Sequence, residues 1–306
     1  MGVTRYPYFE GSYAMRGSSV YQQTLNLTIS EKQKLRRLLE ENYLPKNRVY
    51  RYNFFYDNCT TRARDIIEKC IEGKVVYSEG KERLSFRDIV HQYTKGHEWD
   101  ELGIDMCLGS EADKPIDTRK QMFAPFYMLE AAKKATIVVG DSVRPLILHE
   151  KKVVDVEPED VREGFPLSPM VCVFILIGVT CFVGWLQFKI RKIIWIWDLL
   201  LFGVQGLAGC VITFLVFFST HPTVGSNWLI LLLNPIPLIY LPVMVYRAIK
   251  GKKDYYHTIN IVCLTSFMMI MPFIQQKFNV TVLPLALCLL ICSANHVLLY
   301  YRQNNK

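Results

Sequence analysis

Beyond Pro166 the chain is almost free of charge over long runs, and such runs have few places to go except a bilayer. They are Pro166–Phe188, Ile193–Phe218, Trp228–Val245, Thr258–Gln275 and Thr281–Tyr300. Each is near the roughly 20 residues that a spanning helix needs. The expectation is therefore an all-α transmembrane domain of five helices over residues 166–306. Pro235, Pro237 and Pro242 make the third span the least regular, with a kink or break whose freed carbonyls neighbouring helices must satisfy. Asp198, Gln205, Asn234 and His296 lie inside spans, as interhelical hydrogen-bonding groups or as a functional site.

Basic residues orient the spans. Lys189, Arg191 and Lys192 follow the first, Arg247, Lys250, Lys252 and Lys253 follow the third, and Arg302 and Lys306 lie in the tail. The other two connections hold one lysine between them. The basic loops and the C-terminus are thus expected in the cytoplasm, with the N-terminal part outside. The net charge of +8 is mostly membrane-flanking, which leaves nucleic-acid binding little support. The opening MGVTRYPYFEGSYAMRGSS has no apolar signal core, so the natural protein is expected to start earlier.

Residues 1–157 have the charge density of a water-soluble α+β domain, and 158–165 form a linker. LNLTISEKQKLRRLLEENY predicts a helix capped by Ser30 with Gln33, its core stripe being Leu35, Leu38 and Leu39. PKNRVYRYNFFY alternates like a strand. A helix capped by Asn58 follows, with Ile66, Ile67, Cys70 and Ile71 on its apolar side and Gly73 at its end. LSFRDIVHQYT predicts a helix capped by Ser85. QMFAPFYMLEAAKKAT predicts one broken near Pro125, and RPLILHEKKVVDVEP a short β-pair. No phosphate loop, GxSxG or zinc-type Cys/His spacing occurs, and no cofactor or metal is expected.

YRYNFFYDNCTTRARDIIEKC carries the chemistry. If Asn58 caps the helix, Cys59 is its first residue, beside unpaired amides and the positive end of the helix dipole. Those groups favour a thiolate nucleophile and can hold the oxyanion of acyl transfer. The competing reading is a small buried side chain packed on Phe54 and Phe55. Asp57 and Asn58 read as capping residues, or as groups that orient a base or donate to an oxyanion. Arg62 and Arg64 suit a lipid phosphate, or ion pairs with Asp65 or Glu68. Phe54, Phe55 and Tyr56 suit an acyl groove. Cys70, Cys107 and Trp99 read as core or interface residues, and His91, His97 and His149 as solvated surface histidines.

YRYNFFYDNCTTRARDII resembles the defining motif of the Lnb N-terminal periplasmic domain family. QQTLNLT before it, then LSFR, a tryptophan, LGIDMCLG, DKP and MFAPFYM after it, follow the family order over Val3 to Ala135. The five spans also resemble the Lnb architecture of Bacteroides-type bacteria. The resemblance implies a circularly permuted papain-like fold in an inner-membrane protein. It also implies lipoprotein N-acyltransferase activity: a cysteine, here Cys59, takes an acyl chain from a phospholipid and passes it to the N-terminal amine of a lipoprotein. Membrane lipid is thus donor and surroundings. The family base is a histidine in a Gly-His pair upstream of the cysteine, whereas the first histidine here is His91. The expectation is a chain that begins inside the family domain and acts slowly, since a lost base costs about 10²–10⁴-fold. A cysteine peptidase or amidase, and a non-catalytic membrane scaffold, are the alternative readings.

Overall fold

The structure is a computed structural model describing residues 3–80, 83–157 and 165–304. In chain order it runs α1 (Tyr6–Met15), β1 (Val20–Leu25), α2 (Ile29–Tyr43), α3 (Cys59–Cys70), β2 (Lys74–Val76), α4 (Phe86–Thr94) and α5 (Glu98–Cys107). Then come α6 (Thr118–Gln121), α7 (Pro125–Lys134), β3 (Thr136–Val139), β4 (Ser142–Pro145) and β5 (Ile147–Val154). The apolar part holds α8 (Pro169–Ile190), α9 (Trp195–Phe218), α10 (Pro222–Gly225), α11 (Ile236–Lys250), α12 (Tyr255–Ile270) and α13 (Val282–Asn304). Backbone contacts divide the chain into two units: Met1–Ile89 with Pro115–Glu163, and Val90–Lys114 with Gly164–Lys306. The division expected from charge, 1–157 against 166–306, cuts the chain elsewhere. Of the expected linker, 158–164 lie outside the described residues.

The first unit is α+β. β1 pairs antiparallel with β5, and β2, β3 and β4 form a second antiparallel sheet. The expected β-pair in RPLILHEKKVV does not close on itself, because its halves pair with different strands. Leu146, between β4 and β5, is buried; its amide donates to the Ala135 carbonyl and its own carbonyl accepts from the Asn26 amide. Cys70, Ile71, Ala132, Ala135, Ile137 and Leu146 form the core, with Leu35, Leu38 and Ile67 against it. Leu39, expected in that stripe, is instead exposed. The helix broken near Pro125 is found as α6 and α7. Residues 49–56 are not a strand. Asn53 and Asp57 exchange both backbone hydrogen bonds, and Asn53 Oδ1 accepts from the Phe55 and Tyr56 amides. An Asn side chain that bonds its own following backbone folds a turn, and the aromatic alternation rides around it.

α2 begins two residues earlier than Ser30 and Gln33 suggested. Thr28 is the cap, its hydroxyl accepting from the Glu31 amide while the Glu31 carboxylate accepts from the Thr28 amide. Glu31 does more than cap: it is fully buried, accepts from the Glu72 amide, and takes two bonds of 2.6 and 2.7 Å from Arg144. Burial opposes its ionisation. The Thr28 and Glu72 amides and the Arg144 guanidinium outweigh that and hold its carboxyl below the ordinary carboxylate value. Its stabilising contribution is therefore complete above the unfolded value of about 4.3. It is lost as pH falls through the lower folded value. Glu31→Gln leaves Arg144 without its buried partner and is expected to cost about 3–5 kcal/mol at neutral pH. Melting curves of the purified protein from neutral to acid pH check this: the variant starts lower and loses less on acidification than the parent.

Among the described residues, the second unit holds five helical runs long and apolar enough to cross a membrane, at Pro169–Ile190, Trp195–Phe218, Pro222–Lys250, Tyr255–Phe273 and Val282–Gln303. α9 packs on α11, and α13 packs on both α8 and α12. The third run is broken where its prolines predict: α10, a 3-10 turn at Trp228–Leu231, then α11 with Pro242 inside it. Gln205 of α9 donates to the Leu232 carbonyl at 2.8 Å, so a neighbouring helix does satisfy a group freed by the break. Asn234 accepts from the Ile236 amide and serves as a local cap. Residues 90–114, soluble-looking by charge, belong to this unit through main-chain bonds. The Gly109 amide donates to the Thr223 carbonyl, the Ser110 amide to the Ser226 carbonyl, and Asn227 Nδ2 to the Met106 carbonyl. A Cβ on Gly109 would stand 2.6 Å from the Ser226 carbonyl carbon, so only glycine permits the approach. His91 is not a solvated histidine: its Nε2 lies 2.8 Å from Oδ1 of buried Asp105.

Gly209 likewise lets α9 meet the broken start of α11, since a Cβ there would collide with the Asn234 backbone. Gly209→Leu is expected to destabilise by about 1–3 kcal/mol. Gly178→Leu, with no atom within 4 Å of the added Cβ, is expected to leave stability unchanged. Paired melting curves in detergent check the difference.

Candidate active site

The turn at Asn53–Asp57 delivers the chain to α3, and Asn58 fixes the joint. Its Oδ1 accepts from the Thr60 and Thr61 amides, both at 2.9 Å. Its Nδ2 donates to the Phe54 carbonyl at 2.9 Å and to the Phe123 carbonyl at 2.8 Å. Its own amide donates to Thr61 Oγ1, which closes a capping box. Asn58 is buried, and Cys59, the first helical residue, is exposed. Two of the readings at this joint therefore close. Asn58 has no donor left for an oxyanion, and the Thr60 and Thr61 amides are already bonded to it. The Cys59 amide remains as the donor at the helix start.

Beneath the joint, Phe55, Phe86 and Phe123 meet with ring centroids 4.6–5.3 Å apart. Phe55 is buried in that cluster, so it packs the unit rather than lining a groove. Phe54 is half exposed and meets Phe55 edge-on and Phe123 at a tilt. Arg64 is also interior, with a side chain 5% exposed. It donates to Asp65 at 2.7 Å and to the Arg119 carbonyl at 2.7 Å. Arg119 reaches Asp65 and Glu68 in turn. The ion-pair reading of Arg64 is the one the structure bears out.

Cys59 opens instead on a groove of about 260 Å³, walled by Leu39 and Asn42 of α2, by Arg48 and Tyr50, and by Arg62, Ala63 and Ile66 of α3. Arg62 is locked there. It makes a two-pronged bond to Asp57 at 2.7 and 2.8 Å, and its guanidinium lies 3.5 Å from the centre of the Tyr50 ring. Burial, then the nearby Cys59, pushes the Tyr52 phenol up. The other two thiols of the soluble-looking part are less exposed than Cys59. Burial pushes Cys70 up, with the charge of Glu31 adding to it, and burial alone pushes Cys107 up. Among the described residues the groove walls carry no histidine or carboxylate. His149 sits on β5 opposite Thr24, and His91 and His97 belong to the other unit. Arg48 and Leu39 are among the wall residues that sequence reasoning missed. A lone basic residue in a loop carries no pattern, and Leu39 continues a stripe whose other members face the core.

The arrangement offers an exposed thiol, one free helix-start amide, an apolar wall and two guanidinium groups. Asn58→Ala should cost about 1–2 kcal/mol for the cap. Two carbonyls, one of them the buried partner at Phe123, lose a donor for a further 1–3 kcal/mol or so each. Asn58→Asp keeps the acceptor but not the two donations, and is expected to fall between. Thermal midpoints of the three proteins check the order.

The chain was compared with known families and proteins. The model of the Lnb N-terminal periplasmic domain matches residues 1–95. The model of the Lnb transmembrane domain matches residues 160–304. No curated protein and no solved structure matches the chain. Two consecutive domain models of one family, matched in order, agree with an α+β part followed by five apolar helices. The chain belongs to the Lnb family, and is a membrane protein with a periplasmic N-terminal domain.

Proposed function

We propose that this chain is a cysteine-dependent lipoprotein N-acyltransferase of the inner membrane, its C-terminus cytoplasmic and its α+β domain a permuted papain-like scaffold. The observation that carries the reading is the exposed Cys59 thiol at the first residue of α3, opening on a groove lined by apolar Leu39, Ala63 and Ile66 and by Arg48 and Arg62. A phospholipid needs both: apolar surface for the acyl chain, and fixed cations for the phosphate. Arg62, braced by Asp57 and Tyr50, holds its charge in place without further ordering on binding.

In the first step the Cys59 thiolate attacks the ester carbonyl of the phospholipid. The carbon–oxygen ester bond breaks, the lysophospholipid oxygen takes a proton, and a thioester remains. The Cys59 amide is the helix-start donor available to the developing oxyanion. In the second step the α-amino group of the lipoprotein attacks the thioester. The amide forms, the sulfur leaves as thiolate, and the amine gives up its proton. The base that first takes the thiol proton comes from outside the groove walls described above.

Two measurements test this with the purified full chain. A long-chain α-halo ketone is expected to label Cys59 ahead of the other eight cysteines, read by peptide mass spectrometry. With labelled phospholipid and a peptide bearing a lipid-modified N-terminal cysteine, Cys59→Ser is expected to lower acyl transfer by at least about 10³-fold. Arg62→Ala is expected to act mainly on KM for the phospholipid. Unlabelled Cys59, or transfer that survives Cys59→Ser, overturns the reading. Release of free fatty acid in place of the acylated peptide would assign hydrolysis instead.

A further inference from the structure

A second cluster of reactive side chains lies wholly within the five-helix unit. Asp198 is in the first turn of α9, and Cys292 and His296 stand four residues apart on one face of α13. Asp198 Oδ1 lies 2.9 Å from His296 Nε2 and 3.6 Å from Cys292 Sγ. The three ligand atoms are all within 4.8 Å of one another. All three residues are buried: Asp198 is 0%, Cys292 3% and His296 8% exposed. The His257 ring stacks on His296 with centroids 3.8 Å apart, and its Nδ1 meets Ser293 Oγ at 3.3 Å.

This cluster is incompletely satisfied. Asp198 Oδ2 and His257 Nε2 are buried and have no hydrogen-bond partner among the described residues. A buried carboxylate with one oxygen unpartnered is costly in any interior, and more so at membrane depth. A divalent cation bound by Asp198 would compensate the buried carboxylate, and with one carboxylate, one thiolate and one neutral imidazole the charge sums to zero. Tetrahedral zinc places oxygen and nitrogen ligands about 3.3 Å apart, and oxygen and sulfur about 3.5 Å. Against these, the Asp198–Cys292 pair at 3.6 Å already fits and the Asp198–His296 pair at 2.9 Å must open by about 0.4 Å. A sulfur, nitrogen and oxygen donor set suits zinc or cobalt rather than magnesium or calcium. His296 also lines a cavity of about 30 Å³, the room of about one water, shared with Asp254 and Arg247 at the helix ends.

We propose that Asp198, Cys292 and His296 form a zinc-type site inside the five-helix unit, with the fourth position open to water and His257 beside it as a hydrogen-bonding neighbour. Three protein ligands and an open position are the pattern of a reactive site rather than a purely structural one. On binding, the Cys292 S–H proton is released and the sulfur binds as thiolate. The site rests on its own residues and is independent of the chemistry proposed for Cys59.

Cobalt(II) is the probe, added to chelator-treated full-length protein in detergent. The expected result is one ion per chain, a sulfur-to-cobalt charge-transfer band in the near ultraviolet, visible bands of four-coordinate strength, and displacement by zinc. Cys292→Ser should abolish the charge-transfer band, and Asp198→Asn and His296→Gln should each weaken uptake by at least about tenfold. Cys263→Ser, at an exposed thiol outside the ligand set, should leave both unchanged. Absence of the band in the parent protein overturns the proposal and leaves a buried Asp198–His296 ion pair. So does a band that survives Cys292→Ser, or uptake indifferent to the other two substitutions. Because the parent protein gives the spectrum directly, misfolding of a variant cannot hide the answer.

Discussion

Asn58 makes four side-chain hydrogen bonds, and the α+β unit turns on them. Two end the search of the α3 amides for partners. One grips the turn that precedes the helix, and one grips the Phe123 carbonyl from a segment 65 residues further on. A capping interaction is ordinarily local and modest. Here the same amide group also ties the helix start to the aromatic cluster of Phe55, Phe86 and Phe123. That leaves the next residue, Cys59, facing outward. The thiol is presented because its neighbour is wholly committed to the interior.

The membrane unit solves a different problem with the same currency of polar groups. The third apolar run carries three prolines and cannot form one continuous helix. Its break is tolerated because Gln205 reaches across to a freed carbonyl and because Gly206 and Gly209 let the broken segment come close. Residues 90–114 are charged enough to look independent. They join this unit through backbone bonds to the 222–227 segment, and Gln276 adds a further bond to the Leu108 carbonyl. Charge density along the chain reports solubility, not which partner a segment meets.

Much of the layout was legible in the sequence for identifiable reasons. The five spans appear within a few residues of their expected limits, except for the broken third. The start of α3 at Cys59 and the caps at Asn58 and Ser85 are found as read. The errors are equally specific. The aromatic alternation of residues 49–56 imitates a strand, but Asn53 and Asp57 close a turn. Ser30 and Gln33 imitate a capping box, but Thr28 and Glu31 form it, since Glu31 is also held by Arg144 from β4. Arg64 and Phe55 looked like substrate contacts because they flank Cys59 in sequence. Helical and turn geometry sends both inward, while Arg62 and the more distant Arg48 face the groove.

The sequence by itself determined the features that contiguous residues decide. These are the apolar runs long enough to span a bilayer, the proline break, the cap at Asn58 and the placement of Cys59 at a helix start. Tertiary structure alone decided which side chains share a site. It set Arg48 and Leu39 beside Cys59, buried Arg64 among Asp65, Glu68 and Arg119, and joined residues 90–114 to the apolar helices. It also brought Asp198 to Cys292 and His296 across 94 and 98 residues. Hydrogen bonds along one turn are written in neighbouring letters, whereas contacts between distant segments depend on how whole elements pack.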